Sequence, residues 1–178
     1  MRLLNSHPRR LIGDQRGAAA VEFAFVVPIM LLLYYGMVES TQALLVNRRA
    51  SALTTAVGDL VTQATQVSAA DVDNIFDAST AVMKPFPTSD LAIRVTSITM
   101  NGSGVPSSAW TRARGTIPAT SLSTIDPSMK VANSAILRAE TIYTFRTPFQ
   151  KMLPGTFTFK HKMDLRPRGG VAITLLSS

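Results

Sequence analysis

Arg16-Gly17-Ala18-Ala19-Ala20-Val21-Glu22-Phe23 opens a run that stays apolar or small from Ala18 to Val38. Only the carboxylate of Glu22 and, near the far end, the hydroxyls of Tyr34 and Tyr35 interrupt it. A helix of these 21 residues, rising about 1.5 Å per residue, spans roughly the 30 Å hydrocarbon core of a bilayer. The run exceeds the apolar core of an ordinary secretory signal, and no small-x-small cleavage site follows it. An ionisable group inside such a span costs roughly 2.5–3.5 kcal/mol at mid-depth and less near the interface. Spacing alone leaves two readings of Glu22 open: a functional carboxylate, or one that snorkels to the headgroups from near the helix start.

Ahead of the run, Arg2, Arg9, Arg10 and Arg16 form a basic leader broken by His7-Pro8 and Gly13-Asp14. Basic residues are retained on the cytoplasmic side, so the leader is expected inside and the C-terminal part outside. The chain carries +7, with 18 basic and 11 acidic side chains; the first 17 residues hold four of the former and one of the latter. What remains is 14 against 10, so the charge is in part a topology signal and weak support for nucleic-acid binding. With no cysteine there is neither a disulfide framework nor a thiolate metal site.

A basic leader ending in Gly, four small or apolar residues, Glu and a long apolar helix resemble the N-termini of type IV prepilins. The fuller string Gly17-Ala18-Ala19-Ala20-Val21-Glu22-Phe23-Ala24, with Pro28, Gly36 and Glu39, resembles the TadE-like pseudopilins of bacterial tight-adherence pilus systems. The resemblance implies cleavage by a prepilin peptidase between Gly17 and Ala18, which would make Glu22 the fifth residue of the mature chain. It also implies partners: the peptidase, other pilin-type subunits, an inner-membrane assembly platform and a motor ATPase. No enzymatic role and no cofactor come with it. Under that scheme the freed Ala18 amine and the Glu22 carboxylate could neutralise each other between neighbouring subunits, because an unpaired member in a low-dielectric bundle costs several kcal/mol. Glu22 and Phe23 are then the assembly and register residues. Pro28 would soften the helix, and Gly36, close to four turns from Glu22, would permit close helix approach. A type II secretion pseudopilin would share the leader and the acid. A membrane anchor for a periplasmic binding or sensing domain would keep the leader and have no need of Glu22.

Beyond Val38 the helical pattern runs on without a breaker to about Gln66. Its stripe includes Leu44, Leu45, Leu53, Val57, Leu60, Val61 and Ala64. Arg48-Arg49 reads as a solvated pair and Glu39 as a residue that meets water. Ser68 with Asp71 three residues on predicts a helix start, and Pro85 and Pro87 predict its end near Lys84. Asp71, Asp73 and Asp77 lack the glycine and terminal glutamate of a calcium loop and read as a solvated face.

From Asp90 the pattern turns to strands. Leu91, Ile93 and Val95 alternate, and the phase slips at Thr96-Ser97 to Ile98 and Met100, which predicts a bulge. Asn101-Gly102 marks a turn, and Ser108–Gly115 the returning strand. Residues 115–133, with Pro118 and Pro127, read as a long surface loop. Ala135–Phe145 and Phe157–Leu165 complete about four strands, with Val171–Leu176 as a potential edge. The expected fold is α+β with a small antiparallel sheet. Its parts are a leader (1–17), a transmembrane segment (18–38), an amphipathic extension of the same helix (39–66), and an outward-facing domain (67–178). His161 falls on the apolar set of its strand and reads as a half-buried, hydrogen-bonded histidine. Lys160, Lys162, Arg166 and Arg168 read as a solvated face, and no phosphate-binding loop, metal-ligand pattern or nucleophile motif appears.

Overall fold

The computed structural model describes residues 15–147 and 155–176, with side chains from residue 17 onward; most of the basic leader lies outside the described residues. The chain divides into two compact units, Met1–Thr41 and Gln42–Ser178. Helix α1 (Gln15–Thr62) is continuous and passes through Pro28. In the second unit follow strand β1 (Gln66–Ser68), helix α2 (Ala69–Thr80), and strands β2 (Leu91–Met100), β3 (Pro106–Arg114), β4 (Ala135–Arg146), β5 (Thr156–Leu165) and β6 (Thr174–Leu176). The protein is α+β: a long N-terminal helix, a short second helix and a four-stranded antiparallel sheet in the order β3-β2-β4-β5.

One face of the sheet carries Leu91, Ile93, Val95, Leu137, Tyr143 and Phe145. Against it pack Val46, Ala50, Leu53, Val57 and Val61 of α1, with Val72 and Phe76 of α2. The buried seam of α1 thus steps by three or four residues, as a helix lying on a sheet requires. It leaves Leu44, Leu45 and Leu60 exposed, so the stripe faces a few residues away from the one drawn from the sequence. Gly58 sits where α1 lies close against the sheet. A Cβ there would overlap Leu165 Cδ1 and lie 3.3 Å from Ala139 Cβ.

Helix α1 ends at Thr62, short of the expected Gln66. Gln66–Ser68 instead pairs in parallel with Thr174–Leu176, a ladder that takes the backbone groups a further helical turn would have used. The Arg168 amide donates to Thr62 O at 3.1 Å, and Arg168 forms an ion pair with Asp59 at 2.5 Å. The tail strand therefore lies beside β1 rather than at an edge of the main sheet.

Helix α2 starts where predicted. The Asp71 amide donates to Ser68 Oγ at 3.1 Å and the Ser68 amide to Asp71 Oδ2 at 2.8 Å, a reciprocal capping box. The Ser68 amide and the Ser68 hydroxyl, both donating to Asp71 Oδ2, hold the Asp71 carboxyl below its ordinary range. Asp73 and Asp77 lie on a largely exposed face, as expected, and there they pair with Arg112 and Arg114 of β3. Arg49 likewise is not simply solvated: it donates to Val82 O at 3.0 Å and to Lys84 O, and lies over the Phe86 ring. The predicted slip is present, with Ser97 opposite Trp110 and Ile98 opposite Ser108, which leaves Ala109 as the extra residue.

The opposite face of the sheet departs from expectation. Residues 115–134 form not a plain surface loop but a roof, with one-turn helices at Leu122–Thr124 and Pro127–Met129. Leu122, Ile125 and Met129 pack on Ile98, Met100 and Ile136. Two arginines hold the roof's backbone. Arg138, 0% exposed, pairs with Asp164 through Nε at 2.6 Å and donates through Nη1 to Ser121 O at 2.6 Å. Arg94 pairs with Glu140 at 2.6 Å and reaches Pro118 O and Thr120 Oγ1. Carbonyls that would otherwise be left dry under the roof thus have donors.

Candidate functional site

The residues singled out by the sequence lie together on the first stretch of α1. Gly17, Ala18, Glu22, Phe23 and Pro28 are all exposed, and Gly36 is half-exposed. Helical geometry places Ala18 one turn before Glu22, and Gly36, fourteen residues after Glu22, within about 40° of the same face. Phe25, Ile29 and Leu33 fill that face between them. Because α1 continues through Pro28, the phase from Glu22 to Gly36 is preserved. Pro28 lies on a different side and supplies no amide to Ala24 O.

Apolar exposure dominates this stretch. Phe25 is 71% exposed, and Val21, Phe23, Ile29, Met30, Leu33 and Met37 are similarly bare. α1 is long and apolar enough to cross a membrane, and exposed apolar surface on this scale marks a surface that lipid or another protein covers. No described side chain forms an ion pair with Glu22. Glu39, expected to meet water, is instead buried at 6% exposure.

Two glycines of this stretch have no role within the chain. A Cβ added at Gly17 or at Gly36 would meet nothing within 4 Å. Around Gly36 the surface is notched, with Leu32, Leu33, Met37, Ser40 and Thr41 at its rim. Ser40 Oγ donates to Gly36 O and Thr41 Oγ1 to Met37 O, both at 2.8 Å, so the two hydroxyls are satisfied within the helix. Residues 17–58 match the TadE-like protein family. The TadE-like match starts at Gly17, takes in the whole apolar run and ends four residues before α1 does. No curated protein and no solved structure matches the chain.

The second unit offers little chemistry of its own. Among the described residues no group of three or more His, Asp or Glu side chains is placed to hold a metal ion. His161 is half-buried; its Nε2 lies 2.9 Å from Asn47 Oδ1 of α1, and burial lowers its pKa below the ordinary value near 6.5. A cleft of about 570 Å³ opens between the roof and the sheet, lined by Ile117, Pro118, Arg94, Glu140, Ile142 and Lys160, among others. The sequence reading missed this cleft and the buried arginines. The available signal was the lone charge Arg94 in β2 and the alternate charges Arg138 and Glu140 in β4, set against apolar residues scattered through a Pro- and Ser-rich stretch.

Proposed function

We propose that this chain is a minor pilin-type subunit of a tight-adherence pilus, made as a precursor and processed after Gly17. The TadE-like match over residues 17–58, on a helix whose first stretch leaves its apolar side chains largely exposed, carries the reading. Its work is association rather than catalysis. The subunit sits in the cytoplasmic membrane through the first stretch of α1, with the leader inside and the second unit outside.

The Gly17–Ala18 bond lies in the first turn of α1, whose amides have no partners within the helix and which opens most readily. Cleavage there leaves an ammonium on Ala18, one turn from Glu22. In a bundle of such helices the carboxylate of one subunit meets the ammonium of another, and a helix shifted along the bundle axis leaves both buried and unpaired, at several kcal/mol. The pair thereby sets axial register. Gly36, which spaces nothing within the chain, allows a neighbouring helix to approach at the notch. The partners are the prepilin peptidase, other pilin-type subunits and an inner-membrane platform.

The test is to express the chain with and without a prepilin peptidase and sequence its N-terminus. The expected mature N-terminus is Ala18, produced only with the peptidase. Purified protein that keeps residues 1–17 in cells making normal fibres would instead identify a membrane anchor. Glu22→Gln should leave cleavage and folding intact and abolish incorporation into, or priming of, the fibre.

A further inference from the structure

The two edges of the sheet are finished differently. At β3, the cations Arg112 and Arg114 meet carboxylates supplied by α2, from Asp73 and Asp77. At β5 no described strand lies beyond the edge, and no described backbone group outside β4 bonds to it. Its side chains alternate. Lys160 and Lys162 point to the roofed face, where Lys160 borders the 570 Å³ cleft and Lys162 donates only to a carbonyl, Thr124 O, at 3.3 Å. No described carboxylate pairs with either lysine. Glu140, directly across from Lys162, is already taken by Arg94 and Thr120. On the other face Phe157 is 50% and Met163 36% exposed, on either side of Phe159 and His161.

We propose that the free edge of β5 receives an extended acidic segment of a partner protein, added as a fifth strand. The segment carries carboxylates at alternate positions, which meet Lys160 and Lys162 at the mouth of the cleft. Apolar residues between them cover Phe157, Phe159 and Met163. Backbone pairing supplies affinity and the period of two supplies specificity. Charge selects the occupant: a second copy paired antiparallel about residues 160–162 would set lysine opposite lysine, which is destabilising. This inference stands on the second unit alone and does not depend on processing at Gly17.

The probe is a fluorescein-labelled octapeptide of alternating Glu and Ile, titrated by anisotropy against the full chain in neutral detergent micelles. The expected result is saturable binding that weakens at least tenfold in Lys160→Glu/Lys162→Glu. An alternating Lys-Ile peptide should bind that variant better than it binds the wild type. N-methylation of alternate amides on the pairing edge should abolish binding. Equal binding of the methylated peptide would reduce the edge to a patch of charge and overturn strand addition. So would no binding at all, charge-independent binding, or tighter capture of a sulfated oligosaccharide than of the peptide. Both lysines are on the surface, and far-UV circular dichroism of the variant confirms that a lost signal is not lost folding.

Discussion

Helix α1 is one element with two kinds of surface. From Gly17 to Thr41 most of its apolar side chains are bare and a Cβ at either glycine would meet nothing; from Val46 to Val61 a single seam is buried and Gly58 lies against Leu165 and Ala139. In the second stretch the residue choice is explained within the chain, by the sheet that each side chain meets. In the first it is not, and exposed apolar surface on this scale calls for a cover of lipid or another protein. Glycine inside a helix costs about 1 kcal/mol relative to alanine, so a glycine with open space around it points outward for its reason. The same helix is thus selected by two different environments.

Substitutions in the second unit should alter unfolding, and those in the first should not. The largest effect is expected at Arg138→Ala, which strands the Asp164 carboxylate and uncaps Ser121 O beneath the roof; a loss of about 3–5 kcal/mol is expected. Urea unfolding in detergent, followed by Trp110 fluorescence, measures it. A loss below about 1 kcal/mol would mean that the roof is not held by this pair. Next comes Gly58→Val, where overpacking against Leu165 should cost about 1–3 kcal/mol, while Gly36→Val leaves the same transition unmoved. If both variants shift it equally, the contrast between the two stretches is wrong. Ser68→Ala removes the cap of α2 and should cost about 1 kcal/mol by the same assay.

The smallest effect is that of pH. Burial lowers the pKa of His161 in the folded state, so the unfolded chain binds the proton more readily. Its contribution is fully present above about pH 6.5 and is lost as pH falls toward the lower folded value. Stability should therefore decline from pH 7.5 to pH 5, and His161→Gln should flatten that decline.

The helices and strands were legible because each carries a period. The apolar run, the Ser68–Asp71 cap, the slip at Thr96-Ser97 and the alternation of Phe157 to Leu165 all express local geometry. The roof was not legible, since residues 115–134 have no period. Its Leu122, Ile125 and Met129 acquire meaning only when the sheet beneath supplies Ile98, Met100 and Ile136. Arg94 and Arg138 acquire their place in the same way, once the covering segment brings carbonyls for them to bind. The end of α1 was displaced by a partner more than a hundred residues away in β6. The candidate site is the reverse case. Its residues are read from a motif alone, and the fold adds only that they lie exposed on the first stretch of α1.

The parallel clip between Gln66–Ser68 and Thr174–Leu176 has a consequence for the order of events in the cell. Gln66–Ser68 near the start of the second unit waits for Thr174–Leu176, so this pairing cannot close while the ribosome is still adding the intervening residues. Until then the C-terminal carbonyls of α1 lack the Arg168 amide, and Val67 has no neighbouring strand. Any step that requires this pairing closed is thereby timed by the synthesis of Thr174–Leu176.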